Sequence, residues 1–106
     1  MGDRVTYGDF EWDFDKDKEN VTKHFVGFEI ATLAFADPKG VLTADLAHSN
    51  DEYRFYFSGR VKDKILTVRF TLRGFKIRII GAGFWRKGVK AYEEKNEKAD
   101  SQIEGA

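Results

Sequence analysis

Residues 53–80 read YRFYFSGRVKDKILTVRFTLRGFKIRII, and their alternation decides the fold. Tyr53, Phe55, Phe57 and Val61 are apolar at odd positions, Leu66, Val68, Phe70 and Leu72 at even ones, and Phe75, Ile77 and Ile79 at odd ones again. A period of two sends successive side chains to opposite faces, so each run is a half-buried strand. Two-residue turns at Lys62-Asp63 and Arg73-Gly74 join the runs. In that register Phe57 faces Val68, Phe70 faces Ile77, and every apolar set falls on one face. The other face gathers Arg54, Tyr56, Ser58 and Arg60, then Thr67, Arg69, Thr71 and Arg73, then Lys76 and Arg78. Tyr56, Arg69 and Arg78 align across it, which makes the guanidinium groups of Arg69 and Arg78 neighbours with no carboxylate between them. Like charges opposed across strands are destabilising. The pattern points to an anionic partner, with the acidic N-terminal region as the alternative source of counter-charge.

The flanking segments complete the expected architecture. Upstream, DFEW (9–12) is a short strand. Phe14 to about His24 is polar and free of Gly and Pro, with Asp13 placed to cap it, and reads as an exposed helix. FEIATLAF (28–35) is a second, apolar helix ended by Asp37-Pro38. VLTADL (41–46) is a short strand and AHSNDE (47–52) a polar loop. Downstream, Phe84 to about Glu97 is a last helix, with Trp85, Val89 and Tyr92 on a packing stripe and Arg86, Lys87 and Lys90 beside it. The expectation is an α+β domain over residues 1–95: an antiparallel sheet with two N-terminal helices and one C-terminal helix, in the order β-α-α-β-β-β-β-α. Residues 96–106 are expected to form a frayed or disordered tail.

Composition narrows the function classes. A chain of 106 residues, 42% hydrophobic, supports one core. It has no long apolar run and no basic segment leading into one, so a soluble, cytoplasmic protein is expected. Without cysteine, and with only two histidines, His24 and His48, it offers no zinc motif, and no cofactor or metal is expected. The formal net charge of zero hides a segregation. Met1 to Asn20 holds seven acids and three bases, whereas Arg54 to Lys90 holds eleven bases and one acid, a net of +10. Such a block is the footprint a polyanion meets, because surfaces that only solubilise mix their signs.

Residue by residue, the chain resembles the BrnT ribonuclease toxins of bacterial type II toxin-antitoxin operons. The resemblance lies in Phe10-Glu11-Trp12-Asp13, Lys16 and Asn20, Lys23-His24, Phe28-Glu29, Asp37-Pro38, Arg54 and Gly59, Thr71 and Arg73, Arg78-Ile79-Ile80, and Tyr92-Glu93. It runs from about residue 10 to 95 in order and spacing. Two positions depart from the family pattern: Phe25 stands where a glycine usually follows the histidine, and Gly83 where R-I-I-S-A-R ends in arginine. The resemblance implies a RelE-like fold and metal-independent RNA cleavage. It also implies a cognate antitoxin that holds the toxin inactive in a hetero-oligomer and alone contacts operator DNA, the complex repressing its own operon.

Cleaving RNA without a metal needs a base for the 2′-OH, an acid for the leaving 5′-oxygen and fixed cations for the phosphorane. Arg60, Arg69 and Arg78 are the candidate cations, because guanidinium binds phosphate oxygens in pairs and stays protonated. His24 suits both proton roles near neutrality, and capping or packing is its structural alternative. Glu29 is a candidate base or an orienting group. Lys23, Arg54, Arg73, Lys76, Arg86 and Lys87 are candidate RNA contacts, and Arg86 or Lys87 could replace the motif arginine missing at Gly83. Three readings stay open: a ribonuclease toxin, a catalytically weak relative that binds its partner, and a nucleic-acid-binding module.

Overall fold

The computed structural model describes residues 3–48 and 52–104. Ser49, Asn50 and Asp51 of the expected loop, and Gly105 and Ala106 of the expected tail, lie outside the described residues. The strands are β1 (Arg4–Tyr7), β2 (Phe10–Asp13), β3 (Val41–Ala44), β4 (Arg54–Val61), β5 (Lys64–Arg73) and β6 (Lys76–Gly83). The helices are α1 (Phe14–His24), α2 (Phe28–Ala31) and α3 (Arg86–Glu104). A 3-10 turn over Thr32–Ala36 continues α2, and a shorter one covers Leu46–His48. All six strands form one sheet in the order β1-β2-β6-β5-β4-β3.

Local chemistry explains most of these boundaries. The Asp13 carboxylate accepts the N–H groups of Asp15 and Lys16 at 2.9 and 3.1 Å and opens α1 where expected. The chain leaves α1 through Phe25, whose φ of 62° is left-handed. The Asp17 side chain then accepts the Phe28 N–H at 2.8 Å and starts α2. The expected helix over 28–35 is thus a single α turn followed by a 3-10 turn. That tighter turn sets the Ala34 backbone directly against Gly59 of β4, where any Cβ would collide with it. At the other end of the chain, α3 runs to Glu104, past the Glu97 expected from sequence.

The sheet departs from expectation in three ways. β1 is an additional strand, joined to β2 by a Gly8-Asp9 turn in which Gly8 takes φ 60°. β2 pairs parallel with β6, so the sheet is mixed rather than wholly antiparallel. The β4–β5 register places Phe57 opposite Val68 as expected. The β5–β6 turn, however, lies at Gly74-Phe75, which pairs Phe70 with Ile79 instead of Ile77, and Leu72 with Ile77. A slip of two residues on the partner keeps every side chain on its face. That register puts Thr71 opposite Arg78, and a β-bulge next to Arg69 then shifts the pairing by one more residue and puts Arg69 opposite Gly81.

Helices cover both faces of the sheet. α1, α2 and the 3-10 turn bury Trp12, Val26, Phe28, Ala31, Ala34, Leu66, Val68, Ile79 and Ala82. Tyr53, Leu72 and Phe75 belong to the same apolar pattern but are exposed, beyond the reach of that helical layer. On the opposite face α3 packs Val89, Ala91 and Tyr92 over Val41 and Ile65. The face expected to be open is therefore covered over its β3–β5 end, where Ser58 and Thr67 are buried. Gly88 permits the closure, because a Cβ there would overlap the Thr67 hydroxyl.

Candidate functional site

Beyond the edge of α3 the polar face stays accessible, and its arginines sit in a cross-strand row. Glu11, Arg78, Thr71 and Arg54 occupy neighbouring positions on β2, β6, β5 and β4. The Asp45 N–H bonds the Arg54 carbonyl at 2.8 Å and extends the row to the chain following β3. Arg78 Nη1 lies 3.0 Å from Glu11 Oε2 and Arg69 Nε 3.1 Å from Asp45 Oδ2, and both carboxylates are about 5% exposed. Glu52 lies 4.0 Å from Arg54 and 3.7 Å from Arg73. The expectation that Arg69 and Arg78 adjoin without a carboxylate is corrected on both counts. The two-residue shift of the β5–β6 register separates them, the bulge adds one residue more, and each has a partner of its own. Carboxylates this buried are tolerated because a guanidinium compensates their lost hydration.

Tyr56 completes the Arg69 cluster. It lies opposite Arg69 on β4, and its hydroxyl bonds the Asp45 carboxylate. Burial, then the adjoining Asp45 charge, push its pKa up and outweigh the opposing pull of Arg69, so Tyr56 keeps its proton.

Asp45 and Tyr56 line a groove of about 600 Å³ between the end of β3 and the first turns of α3. Ala44, Leu46, Ala47 and Ala91 supply apolar walls, Ser58 and Thr67 lie at the base, and Trp85 and Lys87 stand on the α3 side. The Ser58 and Thr67 hydroxyls bond each other at 2.9 Å. The indole of Trp85 lies over Gly83, where a Cβ would come within 2.5 Å of Cε2. His24 meets the same indole edge-on, with ring centroids 5.3 Å apart. Asn20 holds α1 in that position: its amide donates to the carbonyls of Val26 and Ala82, and its oxygen accepts the Ala82 N–H.

A second cluster joins Asp37, Arg60 and Tyr92. The Asp37 carboxylate accepts the Tyr92 hydroxyl at 2.7 Å and the N–H groups of Arg60 and Lys39 at 2.8 Å each. The Arg60 guanidinium stands 5.6 Å from the Tyr92 ring centroid, beside a shallower hollow with Glu93, Asn96 and Glu97. Burial alone would raise the Asp37 pKa, but the hydrogen bonds and the Arg60 charge outweigh it and hold the group below its ordinary value. Burial, then the bond to Asp37, push Tyr92 upward. The cluster clamps α3 to the loop that follows the 3-10 turn.

The residues singled out from sequence therefore fall into separate places. Arg69 and Arg78 share the polar face with Arg54. Arg60 belongs to the clamp. His24 sits at the corner with Trp85, and Gly83 beneath that indole is five positions from Arg78, about 16 Å along the strand. Glu29 is exposed on α2, which packs on the face of the sheet opposite these arginines. Lys23 is exposed in the last turn of α1, while Arg86 and Lys87 open α3. Lys76 donates to the Gly8 carbonyl at 2.9 Å. Glu11, Asp45 and Tyr56 had no place among the candidate site residues. Glu11 alternates with apolar neighbours in FEWD, which marks it for the face Arg78 occupies, but Asp45 gives no periodic signal.

The fold and site define a small α+β domain with part-buried arginine–carboxylate pairs and a groove flanked by Lys87. Residues 12–88 match the protein family described as the ribonuclease toxin, BrnT, of type II toxin-antitoxin systems, and the chain belongs to that family. No individual curated protein matches it. The matched span takes in Asp45, Tyr56, Arg69, Arg78 and Trp85 but not Glu11 or Tyr92.

Proposed function

We propose that this chain is a metal-independent endoribonuclease toxin that acts on cytoplasmic RNA at the Arg69–Asp45–Tyr56 groove. The observation that carries the reading is a carboxylate and a phenol that retains its proton lining one groove, with the Arg69 guanidinium bound to that carboxylate. Asp45 takes the proton from the 2′-OH, which attacks the adjacent phosphorus. Tyr56 protonates the departing 5′-oxygen, leaving a 2′,3′-cyclic phosphate and a free 5′-hydroxyl. Arg69, with Arg78 further along the face, balances the charge on the phosphorane. His24 orients the Trp85 indole. A cognate antitoxin bearing a DNA-binding domain neutralises the toxin, and the pair represses its operon.

Purified protein incubated with RNA and a chelator tests this reading. Asp45→Asn and Tyr56→Phe are each expected to slow cleavage on the order of 100-fold, and His24→Ala by less than about 10-fold. A 100-fold loss in His24→Ala with Asp45→Asn unaffected would return proton transfer to the histidine. The indole lying where a motif arginine would project from position 83 favours a second reading, that of a catalytically weak relative. RNA bound but left intact, with or without divalent ions, is the result that selects it.

A further inference from the structure

The charge-based reading gives Trp85 no task, yet its indole is a wall of the groove and is only partly buried. We propose that the groove receives one unstacked base of single-stranded RNA, with Trp85 as the stacking platform. This rests on the chain acting on RNA and specifies how that RNA is held.

Three observations carry it. The walls are mostly apolar by area, and the polar groups that line it include the Asp45 and Tyr56 pair and the Ser58 and Thr67 hydroxyls. A heterocycle with an apolar face and polar edges suits such a site, whereas a bare phosphate suits cations alone. The volume of about 600 Å³ also falls within the roughly 300–1,000 Å³ of small-molecule sites. The platform is fixed in advance, since Gly83 lies under the indole and His24 abuts its edge. A ring already held in place loses little freedom when a base stacks on it. Finally, the cations are where a backbone would need them: Lys87 lines the groove, and Arg69 reaches it through Asp45. The departure at Gly83 thereby acquires a consequence, because any side chain there would displace the indole. The same glycine that lacks a phosphate contact makes room for a base contact.

The test uses single-stranded 2′-O-methyl RNA, which has no 2′-hydroxyl to attack, in a version with bases and an abasic version. Binding is read by fluorescence anisotropy. Trp85→Ala is expected to weaken binding of the base-bearing strand roughly 10-fold and to leave the abasic strand unchanged, with Trp85→Phe keeping most of the affinity. The salt dependence should be unaltered in Trp85→Ala and shallower in Lys87→Ala. Trp85→Leu keeps an apolar side chain larger than alanine but without an aromatic face, so it supplies the comparison if the alanine variant melts early. Equal losses on both strands, or full affinity in Trp85→Leu, overturn the base site. RNA that remains uncut while Trp85 still discriminates the two strands removes the cleavage reading alone. Efficient cleavage with binding indifferent to bases removes the base site alone.

Discussion

At the scale of single residues, the two departures from the family pattern have opposite physical characters. Phe25 holds a left-handed conformation, φ 62°, that suits glycine, and its ring is 87% exposed, so it gains little from packing. Phe25→Gly is expected to raise stability by roughly 1 kcal/mol, as seen by urea unfolding, because the strain removed exceeds the extra freedom of the unfolded chain. Phe25→Ala, which retains the strain, should give no such gain. Gly83 is the reverse case, a glycine that its surroundings require. Gly83→Arg must push the Trp85 indole aside, and overpacking of this kind costs about 1–3 kcal/mol. A lower melting temperature and slower RNA cleavage are expected, and restored cleavage would show that the indole yields. Both departures were visible in the sequence as mismatches to a motif. Their opposite signs were not, since neither a φ angle nor the indole that an added Cβ would meet can be read from residue order.

At the scale of elements, alternation carried most of the fold. Each strand from β4 to β6 was legible because a period of two is strong, and α1 was legible from its Asp13 cap. β1 was missed because RVTY is short and sits among charges, although Gly8-Asp9 between RVTY and FEWD is a recognised hairpin signal. The placement of α3 was missed for another reason. Its stripe of Trp85, Val89 and Tyr92 announces burial but not against which face. Gly88 is the residue that decides how closely α3 sits. In an exposed helix Gly→Ala would stabilise by about 1 kcal/mol, but here the new methyl meets the Thr67 hydroxyl. Gly88→Ala is therefore expected to destabilise by about 1–3 kcal/mol in thermal unfolding, since overpacking wins over helix propensity. The clamp at the far part of α3 should respond to pH at both extremes. Asp37 is held below its ordinary value, so its contribution is present above the unfolded-state pKa and is lost as pH falls through the folded one. Tyr92 is held above its ordinary value, so its contribution is present below the unfolded-state pKa and is lost as pH rises through the folded one. Tyr92→Phe should flatten the alkaline limb of the stability profile and cost about 1.5 kcal/mol near neutrality, the worth of a hydrogen bond to a charged group.

At the scale of the whole molecule, the charge segregation along the chain is partly undone by the fold. The sequence presents eleven bases against one acid from Arg54 to Lys90, but the sheet returns Glu11 to Arg78, and Asp45 and Glu52 approach from the segment just before β4. That Glu11 finds Arg78 follows from the parallel β2–β6 pairing, a contact across 67 positions that no local pattern encodes. RNA bound as proposed would then compete with internal carboxylates for the arginines of the polar face, while Arg86 and Lys87 at the start of α3 are exposed. Affinity for single-stranded RNA should consequently depend on salt less steeply than eleven free cations would require, with a log–log slope of about −2 if three phosphates are neutralised. Glu11→Gln separates the two roles of its ion pair. Removing the carboxylate leaves the Arg78 guanidinium, 19% exposed, without its Glu11 counter-charge. Because the arginine is not fully buried, the stability cost should be about 1–2 kcal/mol rather than that of a wholly desolvated pair. The released cation should meanwhile tighten RNA binding and steepen the salt slope by about 0.7, the increment for one more phosphate on a single strand. Anisotropy titrations of uncleavable RNA across a range of NaCl concentrations, set beside urea unfolding of the same variant, read both quantities. A variant that loses stability but binds with an unchanged slope would mean that Arg78 serves the fold alone and that the phosphate lies elsewhere along the groove.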